Sequence, residues 1–234
     1  MKQLTEAMEK LHITWNQEML HQFEGYMDGI LEWNEKINLT AIKNREEFVE
    51  KHMIDSILCH DFPEYEKSSH VIDVGTGAGF PGIPLAIVSP HKNFVLADSL
   101  NKRLKIIDRL TEELSIYNVE TIHGRAEEIA RNKEYRGAFD LCVSRAVANM
   151  TVLAEYCLPF LKIGGYLLAY KGPDAEKEVG ESEKAFKILG GKFLRIQPVA
   201  LGGYEHNIVV IEKIKDTPAK YPRKAGTPAK EPIL

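Results

Sequence analysis

Cysteine is scarce in this chain, and the three present, Cys59, Cys142 and Cys157, form no CxxC pair and no metal-ligand spacing. That pattern excludes a disulfide framework and a zinc ribbon, and it predicts reduced, mostly buried thiols in a protein without a metal site. No apolar run approaches the ~18 residues that a membrane span needs. Lys2, Glu6, Glu9 and Lys10 interrupt the first residues, where a secretory signal would be continuously apolar. The expectation is a cytoplasmic chain with no membrane partner. Charge of one sign is also lacking: a net −4 over 234 residues gives no global attraction for nucleic acid, so any RNA-binding surface must be local. Hydrophobic residues make up 44% of the chain, enough to bury one substantial core and too few residues for two equal domains.

What the chain does have is a dense glycine loop. His70-Val71-Ile72-Asp73-Val74 reads as a short buried strand that breaks into Gly75-Thr76-Gly77-Ala78-Gly79-Phe80-Pro81-Gly82. A parallel strand that ends in glycines and then opens a helix is where open α/β sheets hold ligands. Pro81 suits the first turn of that helix, and Ser89-Pro90 stops it. Gly75-x-Gly77-x-Gly79 is the spacing of S-adenosylmethionine (SAM) enzymes, whereas Gly77-x-Gly79-x-x-Gly82 matches the dinucleotide fingerprint. In either case glycine permits positive φ and a close approach of backbone to ligand. Asp98, at the end of the next strand, Asn93 to Ala97, is placed to accept hydrogen bonds from a ribose diol.

Ahead of the loop, Thr14 and Gln17 form a capping box for a helix from about Trp15 to Glu35, and Asn44 with Glu47 forms a second for a helix to about His60. These helices, residues 1–66, have no place in a minimal nucleotide fold and are expected to cap the strand ends. His52, Asp55 and Ser56 are the residue types of a nucleophilic triad, but side chains one to four apart on one helix cannot reach triad geometry. They are expected either to pack between cap and core or to line the mouth of the ligand cleft.

From residue 67 to 214 strand and helix alternate. Ser99 is a candidate cap for a helix through Leu114, Val119 to His123 is the third strand, and Ala138 to Ser144 the fourth. Tyr166 to Tyr170, after the Gly164-Gly165 turn, is the fifth, and a charged helix then ends at Gly190-Gly191. Lys192 to Val199 and His206 to Ile214 are joined too closely for a helical crossover, so they should pair antiparallel. Five alternating strands and a terminal antiparallel hairpin predict an α/β, Rossmann-like class I SAM-dependent methyltransferase fold with a mostly parallel seven-stranded sheet, rather than a dehydrogenase.

On a SAM reading, the loop amides face the cofactor's carboxylate, Phe80 presents an aromatic face, and Ala126-Glu127 lies near the adenine; the alternative for Glu127 is an ordinary acidic first helical turn. Exocyclic-amine methylases carry Asn/Asp-Pro-Pro-aromatic after the fourth strand, and C5-pyrimidine methylases a nucleophilic Cys. Here Ser144-Arg145 stands instead, and Cys142 falls inside the strand. A ring nitrogen such as guanine N7 already offers a lone pair and needs neither device. Arg145 and Lys171 either form ion pairs or contact the SAM carboxylate, a phosphate or the guanine edge. From Lys213 to Lys230 there are six basic residues and one acid, with Pro218, Pro222 and Pro228. Residues 215–234 therefore read as an extended segment, either a solvated terminus or an arm that sets Lys220, Arg223, Lys224 and Lys230 on phosphates.

Together these motifs closely resemble the bacterial 16S rRNA (guanine-N7)-methyltransferases known as glucose-inhibited division protein B. The resemblance runs through Trp33-Asn34, Ile37-Asn38-Leu39-Thr40, His52 with Asp55-Ser56, Asp73 to Leu85, Asp98-Ser99-Leu100, Gly124 to Glu127, Ser144-Arg145-Ala146, Lys171-Gly172 and Tyr221 to Pro228. It implies SAM-dependent methylation of N7 of the guanine conventionally numbered 527 in the decoding region, by direct in-line transfer. By carry-over it implies cofactor contacts at Gly75, Phe80, Ala126, Glu127 and Arg145, beside Asp73, Gly77, Gly79 and Asp98. Arg145, Lys171, Lys220, Arg223 and Lys224 are then the candidates for the RNA. The expected partner is 16S rRNA or the small ribosomal subunit, and the expected state a monomer. The alternatives are a SAM methyltransferase for another RNA or a small molecule, and an NAD(P)-binding oxidoreductase or regulator.

Overall fold

Successive residues of the central strands enter opposite hydrophobic layers. Val71, Leu96, Leu141, Val143, Leu168 and Val210 join one layer, while Ile72, Val74, Ala97, Cys142, Leu167 and Val209 join the other. A strand has a side-chain period of two, so strands that are apolar throughout must be covered on both faces. In the computed structural model, which describes residues 1–201 and 204–234, helices supply that cover. Among the described residues the strands are β1 (His70–Val74), β2 (Asn93–Asp98), β3 (Val119–His123), β4 (Phe139–Arg145), β5 (Leu161–Lys171), β6 (Gly191–Leu201) and β7 (Tyr204–Lys213). They form one sheet in the order β3-β2-β1-β4-β5-β7-β6. The first five strands run parallel, and β7 enters antiparallel between β5 and β6. This is the predicted seven-stranded arrangement. The order reverses between β1 and β4, where the strand ends diverge and a ligand crevice forms.

The N-terminal helices share a core with the sheet. Leu4, Ala7 and Met8 of α1 (Lys2–Lys10), an element the sequence reading missed, are buried in the same layer as Phe23, Met27 and Ile30 of α2 (Gln17–Asn34). The cap on α2 is Asn16, not Thr14: Asn16 is the residue with extended backbone, and its side chain accepts the Met19 N–H at 2.9 Å. Asn44 caps α3 (Arg45–Phe48) as expected. A π-helical turn, Val49–Ile54, then joins α3 to α4 (Asp55–Ile57) and carries His52. A short α5 (Pro63–Glu66) leads into β1.

On the sheet's flanks lie α6 (Gly82–Val88), α7 (Asn101–Glu113), α8 (Ala126–Ile129), α9 (Met150–Cys157) and α10 (Ala175–Leu189). Ser99 does not cap α7; the Asp98 Oδ1 takes the Leu100 N–H at 2.8 Å instead, because that carboxylate already sits at the strand end. β5 begins before the Gly164-Gly165 pair, which produces a register shift opposite β4 rather than ending a turn.

The C-terminal segment is not extended into solvent. Thr217, Tyr221, Pro228 and Ile233 are buried, and Tyr221 and Ile233 join the second hydrophobic layer, with a short α11 (Thr227–Lys230) between them. Composition suggested little to bury; two apolar anchors, the Arg223–Glu155 ion pair and hydrogen bonds from Arg131 and Arg136 hold the segment down. No helix among the described residues is long and apolar enough to cross a membrane, and no group of His, Cys, Asp and Glu there could hold a metal.

Candidate active site

The loop after β1 turns on three glycines that adopt positive φ: Gly75 at 74°, Gly77 at 60° and Gly79 at 88°. A side chain at any of them is strained, and at Gly75 a Cβ would also collide with Val147. Carboxylates below and beside the loop hold it open. Asp73 Oδ2 accepts from Thr76 Oγ1 at 2.7 Å and from the Gly82 N–H at 2.9 Å. Asp98 Oδ2 accepts the Gly77 N–H at 2.9 Å. Burial pushes the Asp73 carboxyl up to about 7, and its Oδ1 is buried without a hydrogen-bond partner among the described residues.

A cleft of about 780 Å³ opens from this loop across the carboxyl ends of β4 and β5. Gly75, Gly77, Ala78 and Phe80 form one wall, Arg145 to Asn149 the floor, and Tyr170 to Gly172 with Glu178 the far side. Thr40 from the connection between α2 and α3, with His52 and Asp55 from the N-terminal helical turns, closes it on that side, and His206 closes it from β7. Of the sequence-derived candidates, Gly75, Gly77, Phe80, Arg145 and Lys171 therefore meet in one place. Gly79, in the same loop, and Asp73, on β1 beneath it, lie outside the cleft wall. Asp98, Ala126 and Glu127 are not part of the cleft wall; they stand at the ends of β2 and β3, tied to the loop through the Asp98–Gly77 hydrogen bond and the Gly124 N–H on Asp98 O at 3.1 Å.

Arg145 is anchored within the cleft. Its Nη1 donates to Lys51 O at 2.9 Å and pairs closely with Asp55, and its Nη2 lies 3.1 Å from His52 Nδ1. Arginine only donates, so Nδ1 is the bare nitrogen and Nε2–H faces Thr40 Oγ1 at 2.7 Å. Burial first, and the Arg145 charge second, lower the His52 pKa to about 3, so the ring is neutral. Asp55 also pairs with His206 Nδ1 at 2.9 Å. Burial alone would raise the Asp55 pKa, but His206 and Arg145 outweigh it and hold the carboxyl below its ordinary value; the same contact raises His206. His52 and Asp55 line the cleft and also pack cap against core, so both expectations hold for them, whereas Ser56 is buried, donates to His52 O and stays out of the cleft. Thr40, Tyr170, Glu178 and His206 were missed. Thr40 stands in a motif that the resemblance quoted, whereas nothing local marks His206.

The remaining basic candidates divide. Lys171 is largely buried and donates to Ala148 O at 2.6 Å and to Glu178 Oε2 at 2.7 Å. Arg223 is not displayed outward: it makes a forked pair with Glu155, which is only 1% exposed. Lys220 and Lys224 are exposed. The three cysteines are buried, and burial drives Cys59 up to about 12 and Cys142 well above the ordinary thiol value. A thiolate nucleophile is therefore absent from these positions.

The donor set fits a nucleoside with an amino-acid tail: bare backbone at the glycines, an acidic residue one strand over, and a second acid, Glu127, in the helix that follows the strand after that. Comparison with known proteins agrees with this geometry. The sequence profile of the family described as "GidB: rRNA small subunit methyltransferase G" matches residues 19–208. The chain is 48% identical to the ribosomal RNA small subunit methyltransferase G of Clostridium novyi (strain NT), over 99% of this chain and 96% of that one. It is 46% identical to the protein of the same name from Alkaliphilus oremlandii, over 98% and 97%. Among solved structures it is similar to cofactor-bound Rv0187 from MTB, with TM-score 0.57 and 13% identity over 86% of this chain and 92% of that one. It is also similar to M. jannaschii TYW2 in complex with AdoMet, with TM-score 0.56 and 17% identity over 74% and 80%. At such identities these two likenesses show a common fold.

Proposed function

This chain belongs to the family of rRNA small subunit methyltransferase G, and on that premise we propose that it transfers a methyl group from SAM to N7 of a guanine in 16S rRNA, the one conventionally numbered 527, by direct in-line displacement. The observation that carries the reading is the glycine cradle at the β1 end facing Asp98. SAM supplies a sulfonium methyl group, an electrophile that needs no activation by the protein. The chain's own task is then to hold donor and acceptor in line, which is catalysis by orientation.

Gly75, Gly77 and Gly79 admit the cofactor's amino-acid tail close to the backbone, with Asp73 bracing the loop from beneath. Asp98 accepts from the ribose hydroxyls, and Ala126 and Glu127 meet the adenine. Phe80 is covered on one face by His52, so its part is to wall the cleft. Arg145 presents positive charge to the cofactor's carboxylate or the target nucleotide, and its fixation by Asp55, Lys51 and His52 keeps that charge from swinging toward a sulfonium, which it would repel. Lys171 stands on the acceptor side. The absence of an available thiolate supports an acceptor that brings its own lone pair, and N7 is such an atom.

N7 lies in the deep, narrow groove of an RNA helix, so the target guanine must sit in a loop or be splayed out. Exposed Lys220 and Lys224 are the candidates for flanking phosphates. The reading implies a monomer working in the cytoplasm on the small subunit or its rRNA. The test is to incubate the protein with labelled SAM and unmodified small subunits, then map the label. A single N7-methylguanine, revealed by chain scission after borohydride and aniline, is expected. Label on another atom, another RNA or only on metabolites overturns it.

A further inference from the structure

Glu127 opens α8 at the end of β3, is 3% exposed, and has a single hydrogen-bond partner among the described residues. That partner is distant in sequence: the Gly226 N–H donates to Glu127 Oε1 at 2.8 Å. Gly226 holds a φ of 82°, and a Cβ there would meet nothing within 4 Å, so it is the left-handed backbone, not crowding, that calls for glycine. The amide is aimed at the carboxylate by that turn. The other carboxylate oxygen, Oε2, takes no hydrogen bond from the described residues.

The chain on either side of Gly226 is fastened to the same corner. Arg223 gives its backbone N–H to Glu155 Oε1 at 2.7 Å, and its guanidinium grips both oxygens of that nearly inaccessible carboxylate on α9. Arg131 and Arg136, which follow α8, reach into the segment: Arg131 Nη2 donates to Pro222 O at 2.7 Å, and Arg136 donates to Tyr221 O at 2.9 Å and Thr217 O at 2.8 Å. None of these strap residues lines the cleft. Their common effect is to fix one amide against one buried carboxylate.

We propose that residues 217–230 form a strap that positions the cofactor site from behind: the Gly226 amide holds Oε1 of Glu127 so that Oε2 meets the nucleoside of SAM, and the Arg223–Glu155 pair holds that amide in place. Arg223 is thus a positioning residue rather than a phosphate contact. This rests on the cofactor assignment above.

The test is calorimetric titration of the full chain with SAM for the wild type, Glu127→Ala, Arg223→Ala, the double variant and Arg223→Lys, with backbone hydrogen exchange measured on the SAM-free proteins. Glu127→Ala is expected to weaken binding about tenfold and Arg223→Ala about three- to tenfold. Because both act through one carboxylate, the double variant is expected to bind within about twofold of Glu127→Ala, as coupled sites do. Arg223→Lys, which keeps a charge on Glu155, restores part of the loss, and it carries the same cycle if Arg223→Ala does not fold. Exchange in SAM-free Arg223→Ala should quicken at residues 124–130 and stay unchanged in β4. If the wild type takes up no SAM, it is the assignment of function that fails. If the wild type binds and either single variant matches it, or the two penalties multiply in the double variant, the strap does not act through Glu127.

Discussion

The His52 imidazole lies flat against the Phe80 ring, with centroids 4.4 Å apart and planes within 6° of parallel. One residue comes from the π-helical turn of the N-terminal helices and the other from the glycine loop, so this stack joins cap to cofactor loop. It also shields one face of the half-buried His52 ring from water, and a neutral ring is what the Arg145 guanidinium at its Nδ1 requires.

A half-buried histidine held neutral makes stability depend on pH. In the unfolded chain His52 titrates near its ordinary 6.5, while in the fold its pKa is about 3. Between those values the unfolded state binds the extra proton, so stability is full above 6.5 and falls as pH drops toward 3. His60, also lowered by burial, adds the same sign. Asp55, lowered, acts only below its ordinary 3.8. Asp73, whose folded carboxyl is raised to about 7, has the opposite sign over the same range, so the signature of His52 is a difference: from pH 4 to 6.5 the melting temperature of the wild type should rise relative to that of His52→Gln, which retains a donor and an acceptor. An equal slope in both proteins refutes a neutral His52.

Removing Arg145 strands a buried acid. Asp55 is left with His206 alone, and breaking a buried pair from one side costs about 3–5 kcal/mol. Arg145→Ala should therefore lower the urea midpoint strongly and abolish methyl transfer. Asp55→Asn with Arg145→Ala should recover part of the stability but not the activity.

Asp98 shapes the loop and, on the proposed function, accepts from the ribose. Asp98→Ala deletes the acceptors of the Gly77 and Leu100 N–H groups as well as the ribose contact, so SAM affinity measured by calorimetry should fall more than tenfold, or about 1.4 kcal/mol or more. Unchanged affinity rejects the assignment.

Gly79 has φ 88°, and a Cβ there would crowd Ile83 Cγ1 at 2.7 Å and collide with the Tyr26 hydroxyl. Gly79→Ala should cost about 1–3 kcal/mol by denaturant unfolding, from strained backbone added to that contact. A loss under about 0.5 kcal/mol would show that the loop tolerates a side chain.

Lys220 and Lys224 are exposed cations of the strap. Replacing both with Ala should weaken RNA binding and flatten its salt dependence, by roughly 0.7 in log–log slope for each single-strand phosphate that is no longer neutralised, while SAM affinity stays as in the wild type. A slope equal to the wild type's removes them from the RNA surface.

The sheet was legible in the sequence because each strand carries its own evidence: β-branched runs, glycine punctuation and alternation with amphipathic segments are local properties. The glycine loop and Asp98 were legible for the same reason, since positive φ can be met cheaply only by glycine and a strand end has a defined neighbour. Packing was decided in the tertiary structure. Whether Arg223 reaches a phosphate or a carboxylate depended on Glu155, 68 positions away, and whether Asp55 stays charged depended on His206 from the far hairpin. The basic composition of residues 215–234 spoke for an arm in solvent, but Tyr221 and Ile233 found apolar surface, Arg223 found a buried carboxylate, and Arg131 and Arg136 found the segment's carbonyls. Local spacing determines what a segment can form; which partner saturates a charge is a property of surfaces that meet only once the chain has folded.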